Sequence, residues 1–308
     1  MNITVQEPSD WKTYRLLDSG GGQKLEQFGE YRFIRPEPQA IWRRAWKESE
    51  WEAASAVFQS SAEESGGHWA FKNKVESKWT MSYNNIKFWV MPTSGRHMGF
   101  FPESANHWDW FRPLIRKKIQ SRSKTMSDEP SPSHIEILNL FGYTGLASLA
   151  ASIEGARVTH VDASKKSVNW ARDNQDLSGL GNNPIRWIVD DALKFVQREA
   201  RRGARYEGLI IEPPKFGRGP KGEVWEVFKS LPTLLNACRD CLSEEPLFVV
   251  LTLYAIRTSA LHLAQVLQEL MGGVEGLTEC GELALREQSA GRLISQAVFA
   301  RWQRGTSE

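Results

Sequence analysis

The sequence of 308 residues is poor in cysteine and has no apolar segment long enough to cross a membrane. Its three cysteines cannot build a disulfide framework, which excludes the small disulfide-rich secreted folds. The longest apolar run, Leu247–Ile256, has ten residues, whereas a membrane-spanning helix needs about 18 or more. The amino terminus also lacks the apolar core of a secretion signal. These absences predict a soluble protein of a reducing compartment, the cytoplasm, with no membrane partner.

The sequence also has little net charge, +2, so it is not suited to coating a nucleic acid over its whole surface. Its basic residues nevertheless cluster in three places. Such clusters on a near-neutral protein indicate a polyanion bound at one face, although solvent-exposed helix faces produce the same pattern. The clusters are Arg112, Arg116, Lys117, Lys118, Arg122 and Lys124; Arg198, Arg201, Arg202 and Arg205; and Lys215, Arg218 and Lys221.

Cys238 and Cys241 form a C-x-x-C pair, which raises the question of a metal site. A structural zinc ion needs about four ligands, and the neighbouring sequence offers no second pair and no histidine cluster. Both cysteines continue a pattern of apolar residues with helical spacing. We therefore predict two buried helix cysteines and no metal.

Tryptophan, in contrast, is abundant and concentrated near the amino terminus, because nine of the 13 tryptophans lie in the first 110 residues. The same region carries short aromatic and β-branched runs, such as Tyr31–Ile34 and Ile86–Met91, between glycine-rich turns. Residues 1–103 are therefore predicted to form a small β-rich domain. Its tryptophans would build either its own core or a stacking surface that recognises the substrate.

Residues 104–308 show a different pattern. A helix is predicted over Ser104–Gln120, in spite of Pro113, followed by a polar loop over residues 121–134. Strands and helices then alternate, which is typical of a doubly wound parallel sheet covered on both faces. The predicted strands are Ile135–Leu140, Arg157–Val161, Arg186–Val189, Gly208–Ile211, Leu247–Leu253, Leu277–Leu283 and Leu293–Phe299. The predicted helices between them are Gly145–Ile153, Lys165–Leu177, Ala192–Arg202, Glu223–Cys241 and Ser259–Met271.

Polar or glycine-containing segments follow the first four strands of this region. They are Asn139–Gly145 (NLFGYTG), Asp162–Ala163, Asp190–Asp191 and Glu212–Gly219 (EPPKFGRG). A glycine turn lets the backbone approach a ligand, an acid 20 residues after Gly142 can bind ribose hydroxyls, and a later acid can accept from an exocyclic amine. Each feature alone is explained equally by a turn, a helix cap or a rigid loop. Four of them in order, at one edge of one sheet, indicate a ligand-binding crevice.

The order FGYTG, VDAS, DDA and EPPKF resembles the class I S-adenosylmethionine-dependent methyltransferases. More narrowly, the chain resembles the branch that contains bacterial 23S ribosomal RNA cytosine-5 and guanine-N methyltransferases. This likeness runs from about Tyr14 to Trp302 and includes Leu16–Gly29, Ile34–Trp42 and Gly99–Glu103. The resemblance implies an α/β fold, with a Rossmann-like seven-stranded sheet whose last strand is antiparallel and a smaller β-rich N-terminal domain.

The resemblance also implies S-adenosylmethionine as the cofactor. It would lie across the glycine turn, with Asp162 on the ribose and Asp191 near the adenine. The implied cofactor-binding residues are Asn139, Phe141, Gly142, Tyr143, Thr144, Gly145, Asp162, Ala163, Asp190, Asp191, Glu212 and Phe101.

The segment after the fourth strand is implied to act on the target. Glu212, with the Pro213 carbonyl, would hold the target amine or the methionine end of the cofactor, and Phe216 would flank the target base. Glu212 departs from the Asp or Asn of the family, and its extra methylene displaces the carboxylate by about 1 Å or more. The substrate-binding residues beside them, suited to phosphates, are Lys215, Arg218 and Lys221.

The residues also indicate which kind of atom would accept the methyl group. Methylation of cytosine C5 needs a cysteine thiolate that first adds to C6. Relatives that do this carry the cysteine just after the fifth strand, where this chain has Leu251–Ala255. A nitrogen acceptor needs only alignment and a proton acceptor. N-methylation of a base in ribosomal RNA is therefore the leading hypothesis. The alternatives are a protein or small-molecule substrate, or a non-catalytic RNA-binding or assembly factor with a vestigial cofactor site.

Overall fold

The computed structural model describes residues 2–9, 11–61, 66–125, 134–254 and 256–305. Its strands in chain order are β1 (Ile3–Gln6), β2 (Tyr14–Gly20), β3 (Gln23–Phe28), β4 (Tyr31–Pro36), β5 (Ala56–Ser60), β6 (Gly67–Phe71), β7 (Trp79–Tyr83), β8 (Ile86–Val90), β9 (Glu136–Leu140), β10 (Arg157–Asp162), β11 (Ile185–Val189), β12 (Gly208–Ile211), β13 (Phe216–Arg218), β14 (Val224–Glu226), β15 (Phe248–Tyr254), β16 (Gly276–Arg286) and β17 (Leu293–Arg304). Its helices are α1 (Glu48–Glu52), α2 (Ala105–Thr125), α3 (Leu146–Ile153), α4 (Lys165–Leu177), α5 (Ala192–Arg201), α6 (Val227–Cys241) and α7 (Ala260–Leu270), and a short 3-10 turn spans Pro102–Ser104.

The chain divides into two compact units, each formed from segments that are distant in sequence. The first unit contains Met1–Gln6, Asn106–Leu283 and Gln296–Glu308, and the second contains Glu7–Ala105 and Ala284–Ser295. The predicted boundary between residues 103 and 104 differs from this division at residues 1–6, 104–105 and 284–295. Strand β1 joins the first unit because it pairs in parallel with β16, with Ile3 opposite Cys280. Local sequence patterns cannot reveal a pairing between segments so far apart.

The first unit is built around one eight-stranded sheet with the order β1-β16-β17-β15-β12-β9-β10-β11. The neighbours from β15 through β12, β9 and β10 to β11 are parallel, and β17 is antiparallel to β15. The Rossmann-like sheet with an antiparallel last strand is thus confirmed, while the prediction of seven strands is short by β1. The other strands were predictable because buried parallel strands are nearly continuous apolar runs, as in the fully buried β12.

The second unit contains a five-stranded sheet with the order β2-β3-β4-β5-β6 and the hairpin β7–β8, which confirms a β-rich region. Several of its tryptophans hold this unit together. The indole of buried Trp51 donates to Asp18 at 2.9 Å, and the indole of buried Trp11 donates to the carbonyl of Pro102 at 3.1 Å. These contacts favour tryptophan as a core-building residue. Substrate recognition by this unit stays a prediction.

Helix α2 differs from its prediction at the carboxyl end. It continues through Pro113 to Thr125, so residues 121–125 are helical and do not belong to a polar loop. The rest of that predicted loop, residues 126–133, lies outside the described residues. None of the helices in the described ranges is both long and apolar enough to cross a membrane.

The basic cluster on α2 is largely neutralised by acids of the first unit. Its ion pairs are Arg112–Glu154 at 2.7 Å, Arg116–Glu154 at 2.8 Å, Lys118–Glu245 at 3.2 Å and Arg122–Glu207. The partners come from remote segments, so the sequence alone could not show that these cations are paired. The cluster therefore attaches α2 to its neighbours, and it is a weaker candidate for binding a polyanion than its sequence suggested.

Candidate functional site

The four predicted strand-end segments follow β9, β10, β11 and β12, which are neighbours in the order β12-β9-β10-β11. These strands are parallel, so their carboxyl ends share one edge of the sheet. The structure thereby brings the loop Phe141–Gly145, Asp162, the Asp190–Asp191 pair and Glu212 to the same edge of the first unit. Open α/β sheets bind their ligands at such an edge.

The loop Phe141–Gly145, between β9 and α3, has an unusual backbone. Phe141 and Tyr143 have φ angles of 58° and 50°, in the left-handed region that residues with a side chain rarely adopt. Gly145, with φ of 84°, is the N-cap of α3, and a Cβ there would lie only 2.7 Å from the Cβ of Ala171. Because glycine has no side chain to cap the helix, the first N–H groups of α3 remain donors for a ligand.

Asp162 ends β10 and is bonded to this loop. Its carboxylate accepts from the N–H of Tyr143 at 2.9 Å and from the N–H of Ser164 at 2.8 Å. Burial raises the pKa of Asp162 above its usual value, while these two backbone N–H groups act in the opposite direction. Each carboxylate oxygen has a second lone pair, so the group can also accept from two hydroxyls. Ala163 connects it to Ser164, the N-cap of α4.

The two acids after β11 have structural partners. Asp191 is the N-cap of α5 and accepts from the N–H of Lys194 at 2.9 Å. Asp190 accepts from the N–H of Asp191 at 2.9 Å and forms an ion pair with Arg198. Asp191 therefore caps a helix, and the ion pair with Arg198 connects the Asp190 carboxylate to α5. The part of both acids in adenine binding stays a prediction.

Glu212 and Pro213 follow β12 directly, and the hairpin β13–β14 follows them. Its antiparallel strands place Phe216 opposite Glu226. This hairpin was not predicted, because the pattern indicates a helix that begins at Glu223 and a loop before it. Two strands of three residues carry too little hydrophobic alternation to be recognised.

Trp225 of β14 joins the hairpin to the loop after β9. It is buried, its indole N–H donates to the carbonyl of Pro214 at 2.7 Å, and its ring centroid lies 4.8 Å from that of Phe141. One side chain therefore contacts the segment predicted to bind the cofactor and the segment predicted to bind the target. The sequence did not predict this position for Trp225. The available signal was a single aromatic residue between Val224 and Glu226, after a Gly-Pro turn.

The residues predicted to bind substrate lie on or beside the hairpin. Phe216 is 58% exposed, and the Nζ of Lys215 lies 5.2 Å from its ring centroid. Arg218 and Lys221 are exposed, and neither forms a salt bridge with a described residue. Arg218 and Lys221 therefore differ from the paired cations on α2.

For three further residues that were predicted to bind the cofactor, the structure shows contacts with other parts of the protein. Asn139 is 1% exposed and donates to Ser148 at 2.9 Å, and its part in cofactor binding stays a prediction. Thr144 is buried, and its carbonyl accepts from an asparagine of α4 at 2.9 Å. Phe101 belongs to the second unit, where its ring centroid lies 5.2 Å from that of His97. Its contact with a cofactor stays a prediction.

Known proteins share this fold. No protein-family model matches the chain. The solved structure of a SAM-dependent methyltransferase from Agrobacterium tumefaciens is 42% identical, with a TM-score of 0.90 over 99% of this chain and 95% of that chain. A second solved structure, of a methyltransferase complexed with SAH (S-adenosylhomocysteine), is 18% identical, with a TM-score of 0.67 over 96% of this chain and 76% of that chain. The second likeness shows the fold alone.

Among curated proteins, the ribosomal RNA large subunit methyltransferase K/L of Shewanella frigidimarina is 36% identical over 109 residues. The match covers 35% of this chain and 15% of that protein. The chain thus spans only a small part of the length of the curated relatives it matches.

Proposed function

The chain belongs to the S-adenosylmethionine-dependent methyltransferases, and from this premise we propose that it methylates a nitrogen of a base in ribosomal RNA. The observation that carries the proposal is the segment after β12. There, half-buried Glu212, with its Oε1 in the interior, and buried Pro213 are followed along the chain by Phe216, whose ring is exposed. In the proposed site, the Glu212 carboxylate and the Pro213 carbonyl accept hydrogen bonds from the target amine. The loop Phe141–Gly145, predicted to bind the cofactor, shares this sheet edge.

The residues at the sheet edge fit the cofactor. S-adenosylmethionine supplies a methyl group on a positively charged sulfur, which is open to attack by a nucleophile. Asp162 has lone pairs for two ribose hydroxyls, and the N-terminal N–H groups of α3 can donate to a carboxylate. We assign the nucleoside to Asp162 and the methionine end to the turn at Gly145.

At the target, the residues after β12 have two tasks. Glu212 and the Pro213 carbonyl accept from the target amine and direct its lone pair, and such alignment can lower the barrier by up to about 7–11 kcal/mol. Glu212 can then take the amine proton. Trp225 binds the carbonyl of Pro214, which holds the segment in one orientation. Stacking on Phe216 would add about 1–3 kcal/mol for one base.

The cysteines support a nitrogen acceptor. All three are buried, and Cys238 and Cys241 lie on α6, as predicted. Burial raises the pKa of Cys241 to about 11 and also raises the pKa of Cys238 and Cys280. Such thiols are protonated at neutral pH, so they are not suited to add to C6 of a cytosine. Within the described ranges, no group of three or more His, Cys, Asp or Glu side chains is arranged to hold a metal ion.

An RNA substrate is supported by the exposed cations of the hairpin and by the name of the K/L relative. We expect the double variant Arg218→Gln, Lys221→Gln to bind single-stranded RNA about 10-fold more weakly at low salt. The slope of log Kd against log salt should become shallower by about 1.4, because each contact with a single-stranded phosphate contributes about 0.7. Fluorescence titration at several salt concentrations measures both quantities.

Arg201→Gln is the matched control for this double variant. Arg201 is exposed and ends α5, a helix that begins at the ligand-binding edge and carries this residue about 15 Å away from it. The control should bind RNA like the wild type. An unchanged salt slope in the double variant would remove the hairpin cations from the RNA contact.

Mass spectrometry of ribosomal RNA from hosts with and without this gene tests the proposed reaction. We expect one N-methylated nucleotide to disappear in the deletion strain and to return with the wild-type gene. A missing C5-methyl nucleotide would contradict the nitrogen acceptor. If the RNA is unchanged, the substrate is a protein or a small molecule, or the chain does not catalyse methyl transfer.

A further inference from the structure

A connected set of buried side chains lies under the loop Phe141–Gly145. The Asn139 amide donates to the Ser148 hydroxyl at 2.9 Å, and that hydroxyl lies 3.0 Å from Nδ1 of His160. The imidazole packs edge-on against Trp187, with 4.6 Å between ring centroids. Residues of β9, α3, β10 and β11 thus meet beneath the loop. Of these residues, Asn139, Ser148 and His160 are almost wholly buried.

These side chains touch both glycines of the loop. A Cβ on Gly142 would lie 2.4 Å from Cε1 of His160, much closer than two carbon atoms can approach, and a Cβ on Gly145 would lie 3.0 Å from the ring of Trp187. His160 therefore fills the space below Gly142. While the imidazole is present, the loop cannot sink toward the sheet.

His160 has no part in the proposed reaction, yet its polar ring is buried in the interior of the protein, which is energetically unfavourable. It is a polar residue in the interior of a parallel strand, where apolar residues are usual, and this was the sequence signal that could have identified it. Burial lowers the pKa of His160 to about 3, so the ring is neutral at physiological pH. A neutral ring beneath the loop acts through its shape and its bond to Ser148.

We propose that His160 is a positioning residue for cofactor binding: held by Ser148 and Trp187, its ring supports the loop Phe141–Gly145 at the height that S-adenosylmethionine requires. The inference rests on the proposed cofactor site. Left-handed φ angles at non-glycine residues such as Phe141 persist only where surrounding contacts determine them. The set beneath the loop contacts Gly142, which lies between Phe141 and Tyr143 in the chain, and Gly145.

Removal of the ring should weaken cofactor binding and leave the methyl-transfer step nearly unchanged. For His160→Ala we expect a Kd for SAH about 10-fold higher by calorimetric titration, because a lowered loop loses the equivalent of about one hydrogen bond to the cofactor, and a tenfold change in Kd corresponds to about 1.4 kcal/mol. KM for S-adenosylmethionine should rise in parallel, with kcat similar to that of the wild type. His160→Asn, which keeps a polar group near Ser148, should recover part of the affinity.

Gly142 gives an independent test through a double-mutant cycle. Gly142→Ala should weaken SAH binding in the wild type, because the new methyl group meets His160. In the His160→Ala background the space is vacant, so the same substitution should have a much smaller effect. Equal effects in both backgrounds would overturn the proposal, and so would wild-type affinity in folded His160→Ala. If His160→Ala does not fold, His160→Asn and Ser148→Ala serve the same comparison.

His107 is the matched control, since it is another buried histidine bonded to a hydroxyl. Its Nε2 lies 3.1 Å from Oγ1 of Thr252, and its ring packs against Phe299. His107→Ala should lower the melting temperature but leave the Kd for SAH unchanged; a weaker Kd there would mean general destabilisation and would overturn the role of His160. Retained affinity in Asp162→Ala would overturn the cofactor site itself. Lost affinity there, with normal affinity in His160→Ala, would overturn the His160 proposal alone.

Discussion

An Asp162→Ala variant is expected to bind SAH about 100-fold more weakly than the wild type. The carboxylate holds the N–H groups of Tyr143 and Ser164 at 2.9 and 2.8 Å, and in the proposed site it also accepts from the ribose. A hydrogen bond to a charged group contributes about 1.5–3 kcal/mol, and each 1.4 kcal/mol changes an equilibrium constant about tenfold. The variant loses the hydrogen bonds to the ribose and the hydrogen bond to the N–H of Tyr143. We therefore expect its affinity for SAH to fall by at least about 100-fold.

Calorimetric titration with SAH measures the effect directly, without an RNA substrate. Asp162→Asn keeps the shape of the side chain but places N–H donors where an acceptor is needed, so we expect a loss nearly as large. Asp173→Ala is the matched control, because Asp173 is exposed on α4 and the same charge is removed there. Wild-type affinity in a folded Asp162→Ala variant would place the cofactor elsewhere.

The parts of the fold that the sequence predicts well are those with a strong local pattern. β12 begins and ends where the apolar run Gly208–Ile211 predicts, and α4 spans the predicted Lys165–Leu177. β1 was missed because a four-residue strand becomes recognisable only through its partner β16. The length of α2 was underestimated because Ser, Lys and Thr after Gln120 are typical of a loop, yet the helix continues to Thr125.

For the candidate site, too, only the features with a local sequence pattern were predictable. The strand-end acids and the glycine turn were predictable because each lies next to an apolar run along the chain. Trp225 and His160 were not, since their roles depend on contacts with Phe141 and Gly142, which are distant in sequence. The ion pairs of α2 were not predictable for a related reason, because Glu154, the partner of Arg112 and Arg116, lies beyond the next strand. A sequence displays which charges exist, but the fold decides which of them meet.

Glu212 is expected to affect methyl transfer more than cofactor binding. Glu212→Gln removes the proton acceptor and one of the two groups that align the amine. General base catalysis contributes about 100- to 10,000-fold, so kcat should fall by at least about 100-fold. The Kd for SAH should change much less, because the nucleoside and carboxylate contacts are assigned to Asp162 and the start of α3. Single-turnover methylation and calorimetry of the same variant separate the two effects.

Glu212→Asp tests the departure from the family's Asp or Asn. If the site uses the longer side chain, withdrawing the carboxylate by about 1 Å should lower kcat about 10-fold or more, because alignment is sensitive to such shifts. Glu136→Gln is the matched control, since Glu136 starts β9 at the opposite edge of the sheet and pairs with Arg157 at 3.3 Å. An inactive wild type that gains nothing from Glu212→Asp would identify a vestigial site. Full activity in Glu212→Gln would show that the carboxylate takes no part in the reaction. The Pro213 carbonyl alone would then bind the target amine.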